Sequence, residues 1–599
     1  MTGGLYRSAH AARDGDPPPP DAVPVISVDT ELPGAAPVDD QGLPPGGELD
    51  RGTAGQSAIM AAGSLVSRLI GFVRNAMIGM TLGATVGDAY TSAQFLPGQI
   101  YELLLGGILS SVLIPLLVRR RKADPDGGEA YTQKLLTFAV VGLGAATVLM
   151  VAAAPLITAI QASRGSEQYR HLVTLFAYLI LPIIFFTGLS ALIGAVLNVR
   201  GHFAAPMWAP ILNNLVVIAT CGVFLAVFGA GKGLIPETIT AGQILLIGGG
   251  TLLGMVAQAA GLLPALRRVG FAWKWRWDPR ALGLREIGRL AGWMFCYVAA
   301  NQIAVFVVVN ALNGVSGDGR HAGVLIFNNV FLLTMMAHGI IGVSVMTALL
   351  PKMSAAAADG RYADVSADLS RGIRLAATAL APIAVTYGVL AAPIAVTLFQ
   401  GGRFTSQMAA ATAVVLVVGA FAVLPLSISY LCTYTFYALQ GNKTAALINL
   451  PVVGVRIAAY LVLGAVLSDA LVAAGMTAGN ALSYMVSALL SLAVLRRRIG
   501  RLNLGSVVRA LLKVLLAAAI AAVLGLVVVH FLPGGDPPDR PAAILQILVG
   551  GTVITIGYVG AALALRVREV SQVAGMVRRK LPAGPWSSGR RGEPKGLRR

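Results

Sequence analysis

Long apolar runs recur between about residue 56 and residue 565, with short polar loops between them. About 20 consecutive apolar residues suffice for a helix to cross the hydrocarbon core of a bilayer. The pattern therefore predicts an all-α polytopic membrane protein. The fourteen expected spans are 56–82, 86–118, 132–161, 170–198, 206–229, 238–266, 286–313, 322–350, 370–399, 405–439, 445–467, 470–495, 505–532 and 541–565.

Composition agrees with this fold class. The chain has 599 residues, of which 56% are hydrophobic and only 12% are charged, whereas soluble domains carry about 25% charged residues. The three cysteines, Cys221, Cys296 and Cys432, all lie in apolar runs. That placement excludes a disulfide framework and a cysteine-rich metal site.

The formal net charge of +19 follows from membrane topology. Numbering the loops alternately puts 23 Lys and Arg on one side of the membrane and six on the other. The positive-inside rule places the richer side, and both termini, in the cytoplasm. The basic excess therefore needs no nucleic-acid partner.

The same pattern predicts five segments. Residues 1–54 and 568–599 are Pro-, Gly- and charge-rich and read as a disordered tail and a basic tail, both cytoplasmic. Residues 55–268 and 269–499 form an N-lobe and a C-lobe of six helices each, around a central cavity, and residues 500–567 add two helices.

Two short matches support the division into lobes. The sequence around Val112 resembles that around Val345, 233 residues later, and the sequence around Leu197 resembles that around Leu439, 242 residues later. Because six is even, the two lobes would have the same orientation in the membrane. Two similar lobes facing a cleft are typical of transporters that work by alternating access.

Charged residues inside the first span are the main candidates for a site, because intramembrane charges usually face a cavity or a partner. Ser64, Arg68, Gly71 and Asn75 share one helix face, and Arg74 lies about 120° around the helix from Arg68. The two arginines cannot point in one direction, but both can border a wide cavity. They exceed what a single carboxylate could neutralise, and guanidinium groups suit phosphate oxygens.

Most of the other intramembrane polar residues have two interpretations. Asp88 either belongs to the same cavity or pairs with an arginine of the first span, and Glu102 could reach the cytoplasmic half of the cleft. Arg456 reads as structural or as snorkelling to the cytoplasmic surface. Asn301 and Gln302 either bond to neighbouring helices, as intramembrane amides often do, or line the cleft.

Enzyme chemistry is not indicated. The sequence has no P-loop, no His pair or Cys pair at metal-ligand spacing and no GxSxG motif. We expect no catalytic residues, no metal and no cofactor.

The residues that carry a family resemblance are Ser67–Asn75 (SRLIGFVRN), Gly83, Asp88-Ala89 and Leu96-Pro97, supported by Leu197-Asn198, Ala300–Ile303 and Phe436–Gln440. They resemble the MurJ (MviN) lipid II flippases of the multidrug/oligosaccharidyl-lipid/polysaccharide exporter superfamily. The long N-terminal tail and Gln99–Leu103 look like forms from high-GC Gram-positive bacteria.

The resemblance implies a bacterial plasma-membrane flippase that moves lipid II, the undecaprenyl-pyrophosphate-linked peptidoglycan precursor, from the inner to the outer leaflet. It implies that Arg68 and Arg74 engage the pyrophosphate and that Asp88 is the acidic residue of that cavity. Members carry further arginines in the second, eighth and tenth helices, where this chain has Tyr101-Glu102, Leu332 and Val414.

The implied partners are lipid II and membrane lipids, with cell-wall synthesis proteins as further partners. Two alternatives stay open: an exporter of a drug or another lipid-linked polymer, and a membrane scaffold for cell-wall synthesis enzymes. The membrane potential or an ion gradient would drive transport.

Overall fold

The structure, a computed structural model, describes residues 51–106, 113–230, 234–315, 323–500, 502–535 and 537–571. Most of the two predicted tails therefore lies outside the described residues. Within them the chain is helical, with no strand beyond an isolated bridge between Gly401 and Phe404.

The nineteen α-helices that the structure describes are α1 (Arg51–Leu82), α2 (Thr85–Tyr101), α3 (Ile114–Ala123), α4 (Glu129–Ala152), α5 (Ala154–Gln161), α6 (Glu167–Ile180), α7 (Ile183–Val199), α8 (Ala204–Phe228), α9 (Ala241–Arg268), α10 (Leu284–Asn313), α11 (Val324–Ala337), α12 (Val343–Ala358), α13 (Tyr362–Val389), α14 (Ala391–Phe399), α15 (Ser406–Ala438), α16 (Asn442–Val466), α17 (Asp469–Ile499), α18 (Leu504–Phe531) and α19 (Arg540–Ala564).

The predicted fold class is confirmed. Twelve membrane-length apolar helices are found among the described residues, and they coincide with the third to fourteenth predicted spans. The first predicted span corresponds to α1, and the second begins with α2. Several spans consist of two helices, as at Pro182, which separates α6 from α7 because proline lacks the N–H that a continuous helix needs.

Two π-helical turns interrupt long spans. Glu102–Gly106 follows α2, and His338–Gly342 joins α11 to α12. Their separation in sequence is close to the offset of the two repeat matches, so the turns occupy corresponding positions in the second and eighth spans. Such turns are frequent at functional sites, because they shift the register of the side chains that follow.

Buried side chains form separate clusters in the two halves of the bundle. Tyr90, Phe176 and Phe224 belong to a cluster in the first half, while Phe399 and Phe436 belong to the large cluster of the second half. Helices α18 and α19 pack against each other and against α13 and α14, so the last two helices extend the second half.

Candidate functional site

A polar cavity of about 620 Å³ lies between the two halves. It is bounded by α2 and its π-helical turn on one side and by α10, α11, α15, α16 and α17 on the other. Its polar and charged lining comprises Gln94, Gln99, Tyr101, Glu102, Tyr297, Asn301, Gln302, Ser429, Tyr430, Thr433, Asn449, Arg456, Tyr460, Asn480, Tyr484, Ser487 and Ser491.

The cavity lies toward one end of the bundle. It is lined by the last third of α15 and by α17 as far as Ser491, close to the basic run Arg496–Arg498 at the end of that helix. This is the end that the charge distribution assigns to the cytoplasm. Lining by amides, hydroxyl groups and aromatic rings provides hydrogen bonds and flat apolar faces for a polar ligand.

Three of the predicted site residues, Asn301, Gln302 and Glu102, line this cavity. The Asn301 side chain is fixed at both ends: its Nδ2 donates to the carbonyl oxygen of Tyr297 at 2.9 Å, and its Oδ1 accepts a hydrogen bond from Arg456 at 3.3 Å. The amide is therefore oriented by α10 and α16 together.

The opposite end of the bundle is closed by polar contacts between the halves, and the buried Asp88 of α2 makes one of them. Its carboxylate accepts hydrogen bonds from the backbone N–H groups of Gly323 (2.6 Å), Val324 (3.2 Å) and Leu325 (2.8 Å). These are N–H groups of the first turn of α11, so a negative charge also complements the helix dipole there.

A second contact joins α10 to the first half. Asn313 Oδ1 accepts from Ser92 Oγ at 2.5 Å and from the Tyr169 hydroxyl at 2.8 Å, and its Nδ2 donates to the carbonyl oxygen of Gln161 at 3.1 Å. Asn310, one turn earlier, donates to the same carbonyl oxygen and to Ser163 Oγ.

Arg403, in the loop after α14, makes a third contact. Its backbone N–H donates to the carbonyl oxygen of Met80 at 2.8 Å, and its guanidinium donates to those of Thr81 at 2.7 Å and Gly229 at 3.1 Å. Burial lowers the pKa of this guanidinium from its usual value. The three contacts together seal the end of the bundle that is remote from the cavity.

Arg68 and Asn75 of α1 lie at the seam between the halves, and neither they nor Arg74 line the cavity. Asn75 is buried and exchanges side-chain hydrogen bonds with Asn328 and Asn329 of α11. Arg68 is exposed, and its guanidinium lies directly against Gly339 in the second π-helical turn. Arg68 therefore faces the eighth span across the seam.

Arg74 points into the first half instead. Its Nη1 donates to Asn214 Oδ1 of α8 at 3.4 Å, and Asn214 Nδ2 donates to the carbonyl oxygen of Ser67 at 3.3 Å. Ser64 lies on α1, and its side chain is outside the described part of the chain. The structure thus separates Arg68 from Arg74, as their 120° offset predicts.

Arg456, interpreted from the sequence as structural or as snorkelling to the cytoplasmic surface, lines the cavity. Its Nε donates to Ser483 Oγ at 2.9 Å, and its guanidinium lies 5.3 Å from the centre of the Tyr484 ring. The signal in the sequence for this position was the intramembrane charge itself, an arginine within the eleventh span. No group of three His, Cys, Asp or Glu side chains suited to a metal occurs among the described residues.

Comparisons with known proteins agree with this architecture. The family model for the lipid II flippase MurJ matches residues 78–536. A probable lipid II flippase MurJ from Bdellovibrio bacteriovorus is 25% identical, over 86% of this chain and 95% of that protein. The lipid II flippase MurJ from Burkholderia cenocepacia is 27% identical, over 64% of this chain and 72% of that protein.

Solved structures show the same fold. A lipid II flippase MurJ in an inward closed conformation superposes with a TM-score of 0.67 at 17% identity, covering 85% of this chain and 99% of that one. An inward-facing MATE multidrug transporter of the MOP superfamily gives a TM-score of 0.58, also at 17% identity, covering 73% of this chain and 95% of that one. Because the family model spans well over half of the sequence, the resemblance is confirmed, and the chain belongs to the MurJ lipid II flippase family.

Proposed function

We propose that this protein moves lipid II from the inner to the outer leaflet by alternating access, as a transporter and without catalysis. The observation that carries the proposal is a polar cavity at one end of a two-half bundle whose other end is sealed by hydrogen bonds between the halves. In a member of this family, that arrangement corresponds to a state that receives cargo from one side only.

The composition of the cavity suits the headgroup of such a lipid. Sugars and peptides offer hydroxyl and amide groups, which pair with side chains such as Asn301, Gln302 and Asn449, and sugar faces pack on rings such as Tyr297 and Tyr484. The prenyl chain would stay in the bilayer, so moving the lipid would not transfer this apolar chain into water.

The arginines of α1 are the proposed contacts for the pyrophosphate. Arg68, at the seam, would meet a phosphate that passes between α1 and the eighth span, and Arg74 would become available when α1 moves away from Asn214. We propose that Asn75 and Ser64, on the face of Arg68, assist there. Asp88 would act by holding α11 in the sealed state.

The proposed setting is the bacterial plasma membrane, with both termini in the cytoplasm, as the distribution of basic residues predicts. The membrane potential is the proposed driving force, because moving one charge through 100 mV is worth about 2.3 kcal/mol. Membrane lipids surround the protein, and cell-wall synthesis proteins are proposed as further partners.

The proposal is tested by depleting the protein in its host and supplying variants in trans, while an externally added lipid II-cleaving toxin reports on the outer leaflet. Wild type should restore cleavage. Arg68→Ala and Arg74→Ala should lower it about tenfold, the effect of losing one charge-assisted hydrogen bond. Arg498→Gln, which removes an exposed arginine beyond the end of the cavity, should behave as wild type.

Unchanged cleavage after depletion would contradict the lipid II assignment and favour an exporter of a drug or another polymer. Rescue by both arginine variants would keep the flippase and place its cationic site elsewhere. Deleting residues 1–50 and 572–599 should leave transport intact, whereas loss of function would favour the scaffold.

Gly339→Ala should reproduce the Arg68→Ala phenotype without removing a charge. A Cβ at Gly339 would overlap Arg68 Nη1 and lie 2.9 Å from its Cζ, so the guanidinium has to shift from its position against Gly339. We expect about a tenfold loss of transport in the same assay if Arg68 binds cargo there.

The matched control is Gly454→Ala on α16, where a Cβ would meet no atom within 4 Å. Gly454→Ala favours the α-helix by about 1 kcal/mol, so this control should express as well as wild type. Equal transport by Gly339→Ala and Gly454→Ala would show that transport does not depend on the position of Arg68 against Gly339.

A further inference from the structure

The guanidinium of Arg456 occupies an unusual place for a charge. Arg456 lies just past the middle of the 25-residue helix α16, about 20 Å along the axis from its first turn. In a hydrocarbon core about 30 Å thick, this position is near the membrane midplane. The side chain is half-buried and forms part of the cavity wall.

The groups around this cation are neutral. Its Nε donates to Ser483 Oγ at 2.9 Å, its Nη1 donates to Asn301 Oδ1 at 3.3 Å, and the ring of Tyr484 lies beneath it. Within the described part of the chain, no Asp or Glu oxygen lies within 4.0 Å of it. The charge is therefore oriented by polar neighbours but not neutralised.

A charge near the midplane that lacks a counter-ion and faces a cavity marks a ligand pathway by default, because the fold would otherwise gain nothing from its cost. Guanidinium has five N–H groups, of which Ser483 and Asn301 engage two. The others can form a fork with two oxygens of one anionic group.

We propose that Arg456 binds an oxyanion of the lipid-linked cargo inside the cavity, either a phosphate or a carboxylate of the headgroup. This inference rests on the proposed function and adds a cationic position in the second half of the bundle, distinct from Arg68 at the seam. Asn301 and Ser483 orient the guanidinium, and Tyr460, which donates to Asn480 at 2.6 Å, completes the polar wall beside it.

The inference also bears on the arginines that this chain lacks in its second, eighth and tenth helices. Among the residues that line the cavity in the described structure, Arg456 supplies the positive charge and Glu102 the negative one. The guanidinium of Arg456 on the eleventh span would then bind cargo in this chain, whereas other members of the family carry their further arginines on different helices.

The test is equilibrium binding to the purified full-length protein in lipid nanodiscs, with three probes: undecaprenyl pyrophosphate, lipid II and uncharged undecaprenol. Arg456→Gln should weaken binding of at least one pyrophosphate lipid about tenfold, as expected for a lost charge-assisted contact. Arg456→Lys, which keeps the charge but loses the fork, should fall between wild type and Arg456→Gln. Undecaprenol binding should not change.

Salt dependence separates this role from a structural one. Raising the salt concentration should weaken binding to wild type more than to Arg456→Gln, because one cation–anion contact is missing in the variant. Arg498→Gln makes the same charge change outside the cavity and should retain wild-type affinity and salt dependence. A thermal unfolding curve on each variant identifies any loss of folding.

The outcomes are distinct. Equal weakening for both charged lipids identifies the phosphates as the bound group, and weakening for lipid II alone identifies a headgroup carboxylate. Equal affinity and equal salt dependence in wild type, Arg456→Gln and Arg456→Lys would overturn the inference and leave the proposed function standing. A wild-type protein that binds neither charged lipid would overturn the proposed function itself, and this inference with it.

Discussion

Replacing Asp88 by alanine is expected to abolish transport by releasing the sealed end of the bundle. The substitution leaves the backbone N–H groups of Gly323, Val324 and Leu325 buried without the acceptor that the carboxylate provides. Losing charged acceptors at buried donors costs about 3 kcal/mol or more. If the sealed state is favoured about 99:1 over the state that is open at this end, that cost would make the two populations nearly equal.

The direct readout uses Val305 of α10, an apolar residue of the cavity wall. Val305→Cys is labelled from outside the cell with a membrane-impermeant maleimide. Cys296 is exposed and is first changed to serine, whereas Cys221 and Cys432 are buried. In the Asp88→Ala background we expect faster labelling from outside and little transport. Asp88→Asn, which keeps one acceptor oxygen, should be intermediate.

Asp469→Ala is the matched control, because Asp469 is an exposed acidic residue in the first turn of another helix, α17. It should leave labelling and transport unchanged. If Asp88→Ala labels at the wild-type rate, then the carboxylate does not hold the sealed state, and its role has to be sought elsewhere.

Joining the two halves at the sealed end is expected to stop transport reversibly. Asn310 Nδ2 of α10 lies 2.9 Å from Ser163 Oγ, which follows α5 in the first half, and this contact is exposed. Cysteines at these two positions can be bridged by a short bis-methanethiosulfonate reagent. If the halves must separate there to release cargo, bridging should remove transport, and a reductant should restore it.

The two single-cysteine variants, treated with the same reagent, control for modification without bridging. Both should keep transport at the level that they show before treatment. Full transport by the bridged protein would mean that this end does not open, which contradicts alternating access between the two halves as defined here.

The spans were predictable because a membrane imposes a simple rule on sequence. Each helix must present about 20 apolar residues, and this requirement is local, so the third to fourteenth spans could be identified from the sequence alone. The interruption at Pro182 was predictable for the same reason, since it depends on one residue and its own missing N–H.

The partners of the intramembrane polar residues depend on long-range contacts. Asp88 bonds to residues about 235 positions away, and nothing near it in sequence indicates that the first turn of α11 comes to it. The interpretation of Asp88 as a cavity residue or an arginine partner considered only side chains, whereas its carboxylate also accepts hydrogen bonds from backbone N–H groups of the first turn of α11.

The sequence left two interpretations of Arg456, a structural role and snorkelling to the cytoplasmic surface. Its separation from Lys443 suggested that it could reach the cytoplasmic surface. Neighbouring helices instead supply Ser483 and Asn301, which hold the guanidinium against the cavity. Only the packing of α10, α16 and α17 places these three side chains together.

The central claim is that this chain alone moves lipid II between leaflets. It is tested most directly with purified protein in vesicles that contain fluorescent lipid II, to which dithionite is added outside. In protein-free vesicles the inner-leaflet fluorescence should be protected. With wild-type protein and a membrane potential it should be lost, whereas Asp88→Ala protein should leave it protected. Protection that persists with folded wild-type protein under a membrane potential of either sign would contradict the account.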